Sequence, residues 1–151
     1  MIELNITKES IAEAKKLYYF GILNNSYTKG DGNKCGALGE VLVRQYYNAI
    51  QENTYDYDLI INNKKIDVKT KRHNSKLNPN SNWTMSLFAF NTKQKCDYYC
   101  FVGMADDYNK AYLYGFIEKD IICSSPFLGK LMVANAGSTV QPCGKLAFTL
   151  A

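Results

Sequence analysis

Residues 57–69 read Tyr57-Asp58-Leu59-Ile60-Ile61-Asn62-Asn63-Lys64-Lys65-Ile66-Asp67-Val68-Lys69, two short β-type runs around an Asn-Asn pair. Asparagine tolerates the positive φ angles of a two-residue hairpin turn, so the stretch predicts strands at Tyr57 to Ile61 and Lys64 to Lys71. A turn of that length also sets the register: Ile61 faces Lys64, and Asp58 faces Asp67. The strand period of two then places Asp56, Asp58, Asp67 and Lys69 on one face, and Tyr57, Leu59, Ile61, Ile66 and Val68 on the other. One face is written for a core; the other gathers charge.

Like charges opposed on a sheet destabilise it, so Asp58 against Asp67 calls for a cation or a proton. A hard divalent ion meets that need. Oxygen ligands from separate carboxylates, with positions left for water and phosphate, suit Mg²⁺, which can polarise a phosphodiester and acidify a bound water. Lys69 points to the same side, where its ammonium can orient an attacking water or offset charge developing on phosphate. An Asp-x-Lys triplet alone is a common solvated strand pattern. Its weight here comes from the hairpin that opposes two acids and from the apolar reverse face.

Working outward, Thr7 is suited to cap a helix, and Ile11, Ala14, Leu17, Tyr18 and Ile22 recur at helical spacing, predicting a helix from about Lys8 to Leu23. Asn24 to Lys34, with Gly30-Asp31-Gly32-Asn33, has the turn chemistry of a loop, and GDGNKCG lacks the order of a phosphate-binding loop. A second helix follows, with Leu38, Val41, Leu42, Tyr46 and Ala49 on one stripe and its end near Gln51. Arg44 lies four residues after Glu40, at the spacing of a helix-surface ion pair. Downstream, His73 to Asn82 reads as a polar loop and His73, the one histidine, as a loop residue. Trp83 to Phe88 alternates as a strand. Asp97 to Met104 and Ala111 to Ile117 should pair as neighbouring strands around Asp106-Asp107-Tyr108-Asn109. Beyond residue 118 a short helical or irregular piece and weak strands near Leu131 to Val133 and Leu146 to Thr149 are expected.

The bulk numbers set limits. A chain of 151 residues with 46% apolar content is expected to form one domain, residues 1–151, with a buried core. A formal charge of +4 and a pI near 8.7 favour an anionic partner without demanding one. No apolar run approaches the roughly 20 residues of a membrane helix, and the first residues lack the pattern of an export signal, so a cytoplasmic protein, or one in a host cytoplasm if viral, with no membrane partner is expected. Five cysteines, an odd number mostly within apolar stretches, suit reduced thiols, with Cys96 and Cys100 as small buried hydrophobes.

Asp58, then Asp67-Val68-Lys69, after a helix carrying Gly39-Glu40, resembles the PD-(D/E)XK nuclease superfamily, and its small restriction-endonuclease-like and junction-resolvase-like members in particular. The likeness extends over roughly residues 36–122, because CDYYCFVGM and KAYLYGFIEKDII are similar to the closing strands of such proteins. The resemblance implies an α/β fold, a restriction-endonuclease-like mixed central sheet with flanking helices. It implies Glu40, Asp58 and Asp67 as ligands of Mg²⁺ or Mn²⁺, Lys69 as the catalytic lysine, and a metal-dependent endonuclease acting on DNA phosphodiesters, with RNA left open. Departures are plain: Tyr57 stands where a proline often precedes the first Asp, Asp56 rivals Asp58, and Glu13 on the first helix is the alternative to Glu40. Among the basic residues Lys64, Lys65, Lys69, Lys71, Arg72 and Lys76, the candidates for nucleic-acid contact are Lys71, Arg72 and Lys76. Tyr46, Tyr47 and Trp83 are candidates for stacking on a base. One site per chain makes a symmetric homodimer the simplest way to cut both strands of a duplex. The alternative is an inactive nuclease-fold module for nucleic-acid binding or assembly.

Overall fold

In the computed structural model, which describes residues 1–18, 31–52, 54–74, 85 and 93–123, the elements in chain order are β1 (Ile2–Leu4), α1 (Lys8–Tyr18), α2 (Asp31–Tyr47), β2 (Ile50–Gln51), β3 (Leu59–Ile61), β4 (Lys64–Arg72), β5 (Tyr98–Met104), β6 (Ala111–Glu118) and α3 (Lys119–Cys123). The strands form one six-stranded mixed sheet in the order β1-β6-β5-β4-β3-β2. Every neighbouring pair is antiparallel except β4 and β5, which run parallel. The protein is a mixed α/β fold.

The hairpin forms as its turn chemistry requires. Asn62 and Asn63 take φ values of 49° and 61°, and the register pairs Leu59 with Ile66 and Ile61 with Lys64. β3 begins two residues later than expected, because Thr54 organises a separate turn ahead of it. Its hydroxyl accepts the amides of Asp56 and Tyr57, at 3.2 and 3.0 Å, and donates to the Tyr57 carbonyl at 2.8 Å. The Asp58 N–H turns to the Ile66 carbonyl at 2.9 Å, so the ladder steps out of register there and Asp58 does not pair directly with Asp67 as the two-residue turn predicts.

α1 and α2 cover one face of the sheet. Leu38, Val41, Leu42 and Val43 of α2 pack with Leu59, Ile61, Ile66, Val68, Cys100 and Val102 in the main apolar cluster. The close approach of α2 to β4 depends on Gly39: a Cβ there would lie 1.9 Å from Thr70 Oγ1. α2 starts at Asp31, so the Gly30 to Gly36 stretch is mostly helix where a loop was expected. Interior glycines each cost roughly 1 kcal/mol of helix propensity, a cost this helix offsets by packing its Leu38–Val43 stripe on the sheet. It ends at Tyr47, short of the expected Gln51. Asn48 takes φ 50° and the Ala49 N–H bonds the Arg44 carbonyl at 2.9 Å, a left-handed cap that frees Ile50 and Gln51 to pair with β3.

The opposite face is also covered. Met85, Cys96, Tyr99, Phe101 and Ile122 form a second cluster, with Tyr57, Tyr114 and Ile117 packed against it. Tyr57 therefore joins the side opposite to the one its alternation predicted, because the Thr54 turn breaks the strand before it. His73 lies just past the end of β4, outside any strand as expected, but it is buried: it is 7% exposed and its N–H donates to the Met104 carbonyl at 2.9 Å. Burial and the neighbouring Lys71 charge push its pKa down to about 4.

β5 and β6 pair as expected, Met104 opposite Ala111, and Cys35, Cys96 and Cys100 are buried free thiols. No helix among the described residues is long and apolar enough to cross a membrane. The expected extension of the first helix to Leu23, the strand at Trp83 to Phe88 apart from buried Met85, and the strands near Leu131 to Val133 and Leu146 to Thr149 lie outside the described residues.

Candidate active site

Alternation along β4 decides where each side chain goes. Ile66 and Val68 face α2, while Asp67 and Lys69 share the other face with their β5 neighbours Tyr99 and Phe101. That face is enclosed, and Asp67 is only 2% exposed. Lys69 Nζ stands 2.6 Å from Asp67 Oδ2, an ion pair between a partly buried ammonium and a buried carboxylate oxygen. The Gln94 side chain bridges the pair: its Oε1 accepts from Lys69 Nζ at 3.3 Å, and its Nε2 donates to Asp67 Oδ1 at 3.4 Å.

Asp58 reaches the same place from the hairpin's other arm. Its Oδ2 accepts the Val68 N–H at 2.7 Å, and its carboxyl is within electrostatic reach of Asp67. Glu40 arrives from α2, one residue after the glycine that lets the helix settle on β4. It takes a hydrogen bond from the Gln51 side chain and feels the charges of both Asp67 and Lys69.

The electrostatics are those of three acids crowded out of water. Burial raises the Glu40 pKa to about 7, with Asp67 repulsion adding to it and Lys69 and Gln51 opposing. Burial raises Asp58 to about 8, joined by repulsion from Glu40 and Asp67 and opposed by the Val68 N–H and Lys69. Asp67 is raised too: desolvation outweighs the help it receives from Lys69. Folding alone would not select such a cluster, because isolated buried charge is costly and must be met by a proton or a cation. Such raised values gather at functional sites. Carboxyl oxygens such as these three residues carry are the hard donors that Mg²⁺ or Mn²⁺ takes. As the side chains stand, no three His, Cys, Asp or Glu among the described residues form a metal-holding group.

The alternative ligands lie elsewhere. Asp56 accepts the Lys95 N–H at 3.1 Å. Glu13 is engaged by Arg44 at 2.5 Å and by Gln45 at 3.1 Å, so Arg44 ties α2 to α1 rather than pairing with Glu40 along its own helix. Of the basic candidates, Lys71 lies on the Asp67 and Lys69 face. Arg72 lies on the other, 5.7 Å from the Tyr108 ring centroid and 3.8 Å from Asp106. Lys76 lies outside the described residues.

Gln94 and Gln51 were not singled out by sequence. Neither carries a local signal: Gln94 sits in the polar run Lys93-Gln94-Lys95, and Gln51 reads as a helix end. Gln94 is held in place through its carbonyl, which accepts from Lys119 Nζ, and through its amide nitrogen, which donates to the Tyr55 carbonyl at 3.0 Å. No protein-family model matches the chain, and no curated protein matches it.

Proposed function

We propose that the chain is a restriction-endonuclease-like nuclease that hydrolyses DNA phosphodiester bonds with Mg²⁺ or Mn²⁺, and that it acts as an endonuclease. The observation that carries this reading is the meeting of Glu40, Asp58 and Asp67, all with raised pKa values, beside a lysine 2.6 Å from Asp67.

Glu40, Asp58 and Asp67 would hold the ion through their carboxylate oxygens. Bound there, it would supply Lewis acidity at a phosphate oxygen and acidify a water. The chain's own part is positional. Lys69 Nζ, steered by the Gln94 amide, is set to donate a hydrogen bond to the attacking water or to a non-bridging phosphate oxygen. The Val68 N–H fixes the Asp58 carboxylate, and the second apolar cluster of Tyr99, Phe101 and Met85 keeps the surroundings of Asp67 dry, which strengthens each of these interactions. Lys71 extends the same strand face toward a phosphate backbone.

The test is a panel of single-stranded, duplex, flapped and four-way DNA with and without Mn²⁺, plus a matching RNA arm. Cutting that needs the metal and vanishes in Asp67→Ala and Lys69→Ala supports the reading; its absence on every substrate sinks it. The direct Lys69–Asp67 contact favours a second reading, a nuclease-fold module in which the lysine already meets the carboxylate charge and the protein binds nucleic acid without cutting it. That protein would retain the oligonucleotides yet show no metal-dependent cleavage.

A further inference from the structure

The Thr54–Tyr57 turn, which leads directly into Asp58, holds an aromatic side chain in solvent. Tyr55 is 79% exposed. One exposed aromatic residue is ordinary by itself; the way this one is mounted is not. The backbone beneath it is fixed by the Thr54 hydroxyl, which accepts from Asp56 and Tyr57, and by Gln94 Nε2, which donates to the Tyr55 carbonyl at 3.0 Å. The same Gln94 nitrogen donates to Asp67 Oδ1 at 3.4 Å, so one amide group spans from this turn to the candidate site. Two lysines are held at this turn through the residues that follow the ring. The exposed Lys95 is tied to Asp56 through its N–H, and Lys65 Nζ lies 5.2 Å from the centroid of Tyr57. Tyr46, the other exposed tyrosine among the described residues, is already engaged edge-on with Tyr47, centroids 4.9 Å apart.

We propose that Tyr55 is a stacking platform for an unpaired nucleobase of the strand engaged at Asp58, Asp67 and Lys69, with Lys65 and Lys95 meeting the adjacent phosphates. The preferred substrate then contains single-stranded or branched segments rather than continuous duplex, because a base stacked inside a duplex offers no free face to the ring. Every base has a π face, so the contact tolerates any sequence. The proposal rests on the nucleic-acid reading of the site given above.

The experiment uses the full chain and a short single strand carrying a fluorescent adenine analogue quenched by stacking, compared with the same strand in a fully paired duplex. Chelator is present so that nothing is cut. The wild type should quench the single strand. Tyr55→Ala should lose the quench and bind the single strand about 5- to 150-fold more weakly, while duplex binding and the thermal midpoint stay unchanged. Tyr55→Phe and Tyr55→Trp should behave as wild type. Unchanged binding and quenching by Tyr55→Ala overturns the proposal and leaves the ring to a protein partner; equal losses on single strand and duplex also overturn it. Tyr55-dependent binding by a wild type that cuts nothing with Mn²⁺ overturns catalysis alone. Cleavage indifferent to Tyr55 overturns stacking alone, and a wild type that binds neither probe overturns both.

Discussion

The two faces of β4 are equally dry and differ entirely in chemistry. Ile66, Asp67 and Val68 are 0%, 2% and 6% exposed, yet the first and third meet hydrocarbon from α2 while the second meets a lysine and lies within electrostatic reach of Asp58 and Glu40. Burying Ile66 and Val68 stabilises the fold by about 1.5–3 kcal/mol for each side chain. Burying Asp67 opposes folding until its charge is answered. Equal burial with opposite energetic sign separates the scaffold side of this strand from the side that bears the candidate site.

The comparison can be broken most severely from the charged side. Asp67→Ala should lower metal-dependent cleavage about a thousandfold while the chain still folds, measured as initial rates beside thermal melts. Ile66→Ala should do the reverse, costing about 3 kcal/mol of unfolding free energy in urea through cavity formation, and leaving the Mn²⁺-induced rise in melting temperature intact at temperatures where the variant is folded. If both variants lose stability and activity in parallel, the two faces are not separable.

Gly39→Ala sits between the faces. The added methyl meets Thr70 Oγ1 at 1.9 Å and Thr70 Cβ at 2.9 Å, so α2 must lift from β4. A loss of about 1–3 kcal/mol is expected, together with a smaller Mn²⁺ effect because Glu40 moves with the helix. Thr70→Ala in the same chain should recover part of both.

pH sharpens the contrast further. Glu40 and Asp58 hold protons in the folded state up to about 7 and about 8, against ordinary values of 4.5 and 3.8. Between those limits the folded chain binds more protons than the unfolded one, so metal-free stability should fall as pH rises from about 5 to about 8. His73 acts in the opposite direction, its pKa lowered to about 4, so stability is lost as pH drops below about 6.5. The measurement is therefore the difference between wild type and Asp58→Asn, which should show a flatter decline on the alkaline side. Added Mn²⁺ should stabilise more as pH rises, since metal and protons compete for the same oxygens. The smallest effect belongs to the helix side: Glu13→Gln, which weakens a partly exposed tie to Arg44, should cost under about 1 kcal/mol.

Much of the scaffold was legible because its instructions are local. Asn62-Asn63 specifies the turn, the turn specifies the Leu59–Ile66 register, and alternation then sorts Ile66 from Asp67. The aromatic and β-branched runs likewise announce β5 and β6. Illegible were features that depend on distant partners. The Asp31–Gly36 segment carries loop residues but is helix because the stripe after it packs on the sheet; β1 and β2 are too short to register as patterns, at three and two residues. Arg44 chooses Glu13 across 31 residues over Glu40 at four.

The sequence by itself determined the hairpin, its register from Leu59 to Ile66, and which side of β4 bears Asp67 and Lys69, because over that span a period of two and a two-residue turn admit one arrangement. Only the tertiary structure decided that this side would be dry, that Gln94 would bridge its lysine and aspartate, and that Glu40 would come within electrostatic range. Those outcomes depend on what residues far along the chain lay over the strand, and the free energy of a buried charge is set by its surroundings rather than by its neighbours in sequence.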